Sequence, residues 1–469
     1  MRPFILIIAS LTCTCLSTCQ AAVDFKPVTT ILENHCYECH SGEDPAAKLD
    51  FQAFETQKQA IESDDVWQRV HEVLRGGTMP PNSKNPVPSE RLEQFEHWFD
   101  ATFLQVTEIV PGTSPLRRLT RREYQNSLED ILGIRLNQEL AKDGFRFMKP
   151  PPSIVEKLLP QDPPGSSGFR NDAAAMSLDQ AGIIKMLQIA RYSVDQINSF
   201  ESSQRLVFQN SENATEILHH FLVRAFRREV SNSQINQYLA IYDASINSGN
   251  SHEIAIKDAL VAILTSPQFL YRVEQHQPDA RQSYRITSSE AATRLSYFLW
   301  SSPPDEQLLN AGIQNKLVSS NALEQQLPRM LESPKLREFA RNFGGQWLGF
   351  HEVISDQVIS SGNNNVVKQR LAMYDEAVMY FEYLVRTNRS IFEIVQSQES
   401  YINQMLASLY GIKGFKSPIP TRLAGREDAP DPLILWPHSD ANRGGYLTMA
   451  ASMTITSAPQ RTSPIRRGV

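Results

Sequence analysis

Cysteine is scarce in this sequence. The chain has five cysteines in 469 residues, and Cys13, Cys15 and Cys19 all fall within the first 22. Only Cys36 and Cys39 lie beyond that segment. Zinc ribbons usually bring a second Cys or His pair, so a ribbon is disfavoured here. Any cysteine chemistry in the rest of the chain therefore depends on these two residues.

Long apolar runs, excess charge of one sign and the common catalytic motifs are also missing. No stretch after residue 22 reaches the ~18 apolar residues that a transmembrane helix needs. A net charge of −6 does not favour binding to nucleic acid or to an anionic membrane surface. The chain has no Gly-x-Ser-x-Gly, no phosphate loop, no His-Glu-x-x-His and no dinucleotide fingerprint. No catalytic constellation for hydrolysis or nucleotide chemistry can be assigned.

The first 22 residues have the pattern of an export signal. Arg2 supplies the positive charge, residues 3–11 form a short apolar core, and residues 19–22 (Cys-Gln-Ala-Ala) offer a cleavage site. Residues 16–19 (Leu-Ser-Thr-Cys) also resemble a lipoprotein signal, which leaves a lipid anchor open. We expect the mature protein in the periplasm or the cell envelope, with no transmembrane helix.

A five-residue motif, Cys36-Tyr37-Glu38-Cys39-His40, follows this signal. The spacing Cys-x-x-Cys-His is typical of covalent attachment of a c-type haem. The two thiols bond the vinyl groups of one porphyrin, and the histidine lies beneath the iron as proximal ligand. The motif therefore predicts one haem c bound through Cys36, Cys39 and His40, with iron held by His40.

Three other uses of these residues remain open. A redox Cys-x-x-Cys normally sits in a βαβ setting, whereas the flanks here have helical periodicity. Zinc could be bound by Cys36, Cys39 and His40 together with His35. A disulfide between the two cysteines is possible in an oxidising compartment, but it leaves His40 unexplained.

Met79 is the candidate for the second axial ligand of the iron. It follows Gly76-Gly77 about forty residues after the haem motif, and two prolines come directly after it. Helices are predicted before the cysteines, around Trp67–Leu74, and after Pro88 with Ser89 as its N-cap. A lone methionine is otherwise core filler, and His71 and His97 are the alternative ligands.

The remainder of the chain is predicted to be mainly α. A Thr-x-x-Glu capping box at Thr120 and Glu123 begins one helix, and residues 148–170 are expected to form a proline-rich loop. Four arginines at 117, 118, 121 and 122 are interpreted as a solvated, salt-bridged helix start, with docking of the haem domain or of an anionic ligand as the alternative. Residues 401–410 are predicted as a short helix. The tail ends without a capping segment, which suggests a truncated reading frame.

The order of segments resembles the planctomycete-type proteins that join an N-terminal cytochrome c domain to a tandem of uncharacterised helical domains. The resemblance rests on His35-Cys36-Tyr37-Glu38-Cys39-His40, Gly77-Thr78-Met79-Pro80-Pro81, Arg118-Leu119-Thr120-Arg121-Arg122-Glu123-Tyr124 and on residues 264–272, 294–300, 403–407 and 461–468. It implies covalent haem c on Cys36 and Cys39, with His40 and Met79 as axial ligands. It implies nothing about the activity of the helical domains.

Fold class and domain boundaries follow from these patterns. We expect a small class I-like cytochrome c domain followed by several all-α domains. The expected segments are a signal peptide at 1–22, a haem domain at 24–108, helical domains at 112–175, 176–283 and 284–414, and an incomplete C-terminal domain at 415–469.

Three hypotheses of function are compatible with the sequence. The leading one is an exported electron-transfer protein whose helical domains dock an unknown redox partner or substrate. The second is a haem-coupled enzyme acting on a polysaccharide or another polymer. The third is a cell-envelope interaction protein with a structural or sensory haem. Reversible oxidation of an external partner distinguishes the first from the third, and turnover of a defined substrate is required for the second.

Overall fold

The computed structural model describes residues 25–81, 86–104, 115–136, 152–199, 201–209, 211–274, 285–317, 320–355, 364–416, 418, 431–438, 443–458 and 461–462. The predicted export signal, residues 148–151 of the proline-rich segment and residues 463–469 of the tail lie outside this set. The chain divides into two compact units, Met1–Gly112 and Thr113–Val469. Both are mainly α, as predicted. Within the described ranges, no helix is both long and apolar enough to cross a membrane.

Four short α-helices form most of the described part of the first unit. They are α1 (Lys26–His35), α2 (Gln57–Ile61), α3 (Asp64–Arg75) and α4 (Ser89–Phe99), the last continuing into a π-helical turn over Asp100–Leu104. Helix α1 buries Val28, Ile31 and Leu32, which confirms the helix predicted before the cysteines. Its apolar face packs into a core dominated by aromatic rings, with Trp67 and Trp98 almost fully buried.

The start of α4 differs from the prediction by one residue. Pro88 is the N-cap, and Ser89 is the first helical residue with no side-chain capping bond. The proline ring fixes φ, here −59°, and Pro88 has extended backbone geometry, so the helix begins directly after it. The predicted role of Ser89 as N-cap is therefore wrong.

The second unit contains most of the helices. They are α5 (Arg121–Leu132), α6 (Ile154–Leu158), α7 (Gln180–Asp195), α8 (Glu201–Phe208), α9 (Ala214–Phe226), α10 (Asn232–Asn247), α11 (His252–Leu264), α12 (Pro267–Leu270), α13 (Ser288–Trp300), α14 (Glu306–Ile313), α15 (Ser320–Glu332), α16 (Asn364–Arg386), α17 (Glu393–Gln396), α18 (Gln404–Tyr410) and α19 (Ala450–Ile455). A segmented helical run of 3₁₀, α and π turns over 334–347 precedes α16.

Two hydrophobic cores hold this second unit together. The first runs from Leu119 to Tyr297 in sequence, and the second from Ala292 to Ala451. Apolar residues at helical spacing supply both cores, because each helix must bury one stripe of its surface. Polar contacts join the elements that belong to the two cores. Lys335 Nζ, for example, donates to Asp130 Oδ2 at 2.7 Å.

Helix α5 begins and ends as its sequence predicts. Thr120 Oγ1 accepts from the N–H of Glu123, and the Glu123 carboxylate accepts from the N–H of Thr120, which completes the capping box. Gly133 follows the helix with φ of +68°, a left-handed conformation that glycine adopts without steric penalty.

The fold also contains short antiparallel ribbons, which the spacing of apolar residues in the sequence did not predict. Strand β1 (Arg117–Arg118) pairs with β2 (Tyr271–Arg272), β3 (Glu399–Ile402) with β4 (Ile434–Pro437), and β5 (Ser457–Ala458) with β6 (Arg461–Thr462). Tyr401 therefore lies in a strand, and the helix predicted over 401–410 begins only at Gln404, after Asn403 as N-cap. Pairing with Leu435, 34 positions further along the chain, decides the conformation of Tyr401.

Two further expectations are corrected near α5. The proline-rich segment is not wholly a loop, because Ser153 caps the short helix α6. The arginine-rich start of α5 is salt-bridged, but its first two arginines, Arg117 and Arg118, are largely buried rather than solvated. The Arg117 and Glu123 side chains are only 10% and 8% exposed, and two hydrogen bonds of 2.8 and 2.9 Å join them. The fold thus buries charges that the local pattern assigned to the surface.

Candidate haem site

The Cys-x-x-Cys-His motif occupies the tight turn that ends α1. Cys36 is the C-cap, and its N–H donates to the carbonyl of Leu32. The backbone N–H groups of Cys39 and His40 both donate to the carbonyl of Cys36, at 3.2 and 2.9 Å. These bonds fold the five-residue motif into one turn, so both thiols and the imidazole belong to a single compact structural element.

Both thiols of the motif are free in this structure. Cys36 is half-buried, Cys39 is exposed, and the two do not form a disulfide. Burial, with a smaller effect of neighbouring Cys39, raises the pKa of Cys36 to about 11. Cys36 is therefore a neutral thiol at neutral pH rather than a thiolate.

The imidazole of His40 is oriented by a backbone carbonyl. Its Nδ1 lies 2.9 Å from the carbonyl oxygen of Ala46, which assigns the proton to Nδ1 and makes it the donor. Nε2 makes no hydrogen bond to the described part of the chain and keeps its lone pair. This is the arrangement in which metal-ligating histidines are held, because the hydrogen bond at one nitrogen fixes the tautomer and orients the other.

An aromatic cluster lies directly behind His40. The imidazole contacts the ring of Phe51 at 5.4 Å between centroids, and Phe51 contacts Trp67 at 6.2 Å. The indole N–H groups of Trp67 and Trp98 are buried and have no hydrogen-bond partner in the described residues. An unpaired buried donor is unusual in a folded protein.

Met79 lies on the loop that follows α3. The N–H groups of Thr78 and Met79 both donate to the carbonyl of Val73, at 3.0 and 3.3 Å, after Gly77 turns the chain with φ of +63°. These bonds hold the backbone of the loop against the end of the helix. The thioether side chain is 40% exposed, so Met79 does not act as core filler in this structure.

The two alternative ligands have different surroundings. His71 stacks on Phe99 with centroids 4.3 Å apart and rings 2° from parallel, at the edge of the aromatic core. His97 is exposed on α4. The His71 ring is therefore packed against the aromatic core, whereas the His97 side chain faces solvent.

The structure brings together the motif residues more closely than the other candidates. Cys36, Cys39 and His40 share one turn, while Met79 belongs to a separate loop. Within the described ranges, no three His, Cys, Asp or Glu side chains come together as a metal-binding group. The four zinc ligands considered above are accordingly not assembled here. The carbonyl of Ala46 was missed from the sequence, because a backbone acceptor carries no residue signature.

These residues fit a c-type haem by the chemistry of their donors. Two unpaired thiols in the required order, an imidazole with one nitrogen already held and a soft thioether are the groups that such a cofactor uses. The donor set therefore fits haem c.

Comparison with known families gives four matches in chain order. The model described as Planctomycete cytochrome C matches residues 36–83. Three models, each described as a protein of unknown function, match the second unit: DUF1587 over 117–198, DUF1595 over 213–274 and DUF1592 over 286–412. No curated protein and no solved structure matched the chain.

Proposed function

The chain belongs to the planctomycete-type proteins that join a c-type cytochrome domain to a tandem of helical domains of unknown function, and from this premise we propose that it is an exported electron-transfer protein. Cytochromes c of this type are typically exported. The periplasm or cell envelope is the proposed location. The cytochrome domain implies haem c, and we assign one haem to the chain.

The proposed attachment site is the turn after α1. Cys36 and Cys39 would hold the haem through thioether bonds, with His40 as the proximal and Met79 as the distal ligand of the iron. The observation that carries this proposal is the hydrogen bond between His40 Nδ1 and the Ala46 carbonyl. This bond orients the ring and leaves the lone pair of Nε2 free to bind a metal. The backbone bonds of the Met79 loop support the second assignment.

Bound haem supplies one-electron oxidation and reduction, and the protein tunes its potential and access. The Ala46 carbonyl increases the electron-donating strength of His40 by accepting its Nδ1 proton in a hydrogen bond. A thioether ligand favours reduced iron and raises the potential. The aromatic cluster behind His40 excludes water from that side of the imidazole.

The helical domains are proposed to dock a redox partner or a substrate. Their proposed limits are 112–175, 176–283, 284–414 and 415–469, after a haem domain at 24–108 in the sequence. The family match that begins at residue 286 supports the start of the third helical domain, whereas the match over 117–198 extends past the proposed limit at 175.

We predict that Met79→Ala retains covalent haem but changes the iron ligation. The protein should be matured with haem, and its visible spectrum recorded oxidised and then reduced. The wild type should show a low-spin reduced spectrum and a weak far-red band of the oxidised form that is typical of thioether ligation. The variant should lose this band. Its reduction potential should be lower than that of the wild type, by an amount inside the roughly 0.8 V range that changes of axial ligand span.

Two matched variants test the choice of Met79. His97→Ala should leave both spectra unchanged, because His97 is exposed on α4. Loss of the low-spin spectrum in His71→Ala, with no effect of Met79→Ala, would show that histidine rather than methionine is the distal ligand. Absence of covalent haem from the wild type would refute the electron-transfer proposal itself.

A further inference from the structure

We propose that a cleft beside helices α5 and α7 binds a small organic anion through Arg121 and Lys185. The cleft lies entirely in the second unit and has a volume of about 250 Å³. Its basic side chains come from the start of α5 and the second turn of α7. This site does not depend on the haem assignment, and no family match gives it a role.

The pairing of the four arginines at the start of α5 points to this site. Arg117 binds Glu123, Arg118 binds Asp162, and Arg122 binds Glu338. Arg121 differs from these three, because it forms no ion pair with the described residues. Its guanidinium makes one hydrogen bond, from Nη1 to the carbonyl of Leu159 at 3.2 Å. The remaining N–H donors of a group that is always charged are left for another acceptor.

Lys185 provides the second cation of the cleft. It is half-buried on α7 and makes neither an ion pair nor a hydrogen bond in the described part of the chain. Two basic side chains that line one small cavity without carboxylate partners repel each other. An anion between them removes that repulsion, which is a reason for the site to bind one.

The acidic residues that line the cleft are already engaged. Asp162 accepts from Arg118 Nη2 at 2.8 Å and from the backbone N–H of Arg121 at 2.7 Å. Asp179 caps α7 by accepting from the N–H of Gly182 at 2.7 Å. Counting every charged side chain that lines the cavity, the three cations Arg118, Arg121 and Lys185 exceed the two carboxylates by one positive charge. The cleft therefore favours a ligand with a single negative charge.

The rest of the lining indicates the body of the ligand. Apolar lining is supplied by Leu159, Pro160, Pro163, Leu178 and Met186. Ligand sites of this kind combine mainly apolar walls with a few polar groups that orient the ligand. The class that fits is a short apolar or weakly polar body with one carboxylate or one sulfate ester.

Binding of defined probes to the full chain tests this proposal. Hexanoate, hexyl sulfate and inorganic sulfate are titrated by calorimetry at constant ionic strength, with chloride as the reference salt. We expect saturable binding of hexanoate or hexyl sulfate, tighter than that of inorganic sulfate, which lacks the apolar body. Comparison of the two hexyl compounds shows whether the natural head group is a carboxylate or a sulfate ester.

Lys185→Gln and Arg121→Gln should each weaken this binding by about tenfold or more, as expected for loss of one charged hydrogen bond. Arg191→Gln is the matched control, since Arg191 is exposed on the same helix outside the cleft. The affinity of this variant for the probes should stay within about twofold of the wild type.

The proposal is refuted if no probe binds saturably. It is also refuted if Arg191→Gln weakens binding as much as Lys185→Gln, because the effect would then be general charge attraction. Lys185 makes no bond within the described residues, so its replacement does not disturb the fold.

Discussion

Replacing Glu123 with Gln is expected to lower the free energy of unfolding of the second unit by about 3–5 kcal/mol, the usual cost of removing one partner from a buried ion pair. The guanidinium of Arg117 is held by both oxygens of Glu123 and is only 10% exposed. After the substitution it would keep its charge but lose its counter-ion. Chemical denaturation followed by circular dichroism measures the change.

The pKa of Glu123 supports the strength of this pair. Burial by itself would raise that pKa, but the charge and hydrogen bonds of Arg117 outweigh burial, and the pKa lies below its ordinary value. The carboxylate is thus more stable in the folded protein than in the unfolded chain. Its contribution is present above the ordinary pKa of a glutamate and is lost as the pH falls below it.

Glutamine is chosen because it preserves the capping box, in which either Glu or Gln can occupy the third helical position. Glu156 offers a matched control, since it occupies the same position in the capping box of Ser153 but has no ion pair within the described ranges. Glu156→Gln should change stability by less than about 0.5 kcal/mol. Equal effects of the two substitutions would show that the Arg117–Glu123 pair contributes nothing specific.

A second large effect is expected at Glu376, as a dependence of stability on pH. As the pH rises from about 4.5 to about 7, the second unit of the wild type should lose about 3 kcal/mol of stability through this one carboxyl. The stability decreases by about 1.36 kcal/mol for each pH unit in this range. Glu376→Gln should remove this loss, so that the stability of the variant no longer falls through this residue between about pH 4.5 and pH 7. Urea denaturation at a series of pH values measures the difference.

Glu376 lies at the centre of a buried polar cluster. Its side chain is 1% exposed on α16. Ser400 Oγ on β3 donates to it at 3.0 Å, and Tyr410 at the end of α18 donates to its other oxygen. His438 contacts Ser400 at 2.8 Å, and the guanidinium of Arg443 lies 3.7 Å over the Tyr410 ring. The Glu376 carboxyl thus bonds α16 to β3 and to the end of α18.

Burial is the main cause of the shift. It raises the pKa of Glu376 to about 7, while the hydrogen bonds from Tyr410 and Ser400 and the charge of Arg443 lower it only in part. The folded pKa therefore exceeds the ordinary value of 4.5. The folded protein binds this proton more tightly than the unfolded chain, so the stabilisation is complete below pH 4.5 and is lost as the pH rises through 7.

Two variants separate Glu376 from other groups that titrate nearby. Glu324→Gln removes a carboxyl that is exposed on α15, and it should leave the pH profile unchanged. Asp375→Asn tests the neighbouring carboxyl, whose pKa burial also raises. The interpretation fails if Glu376→Gln keeps the wild-type slope, because another group would then bind the proton.

Several features of this protein were determined by local sequence alone. The haem motif, the helix that precedes it, the capping box at Thr120 and the stop at Gly133 all depend on residues within a few positions of one another. Steric limits and short-range hydrogen bonds act over that distance, so their outcome can be predicted without knowing the fold. The helical class follows from the same kind of signal, since apolar spacing sets which face of each helix is buried.

Tertiary structure decided which distant groups meet. Arg118 and Asp162 are 44 positions apart, and Arg122 and Glu338 are 216 apart, so no local pattern could pair them. The same holds for the strand at Tyr401, which pairs with residues 434–437, and for the raised pKa of Glu376, whose partner Ser400 lies 24 positions away. Each results from burial beside a segment remote in sequence. Removal of water strengthens hydrogen bonds and charge interactions at such places, and only the folded chain determines where those places are.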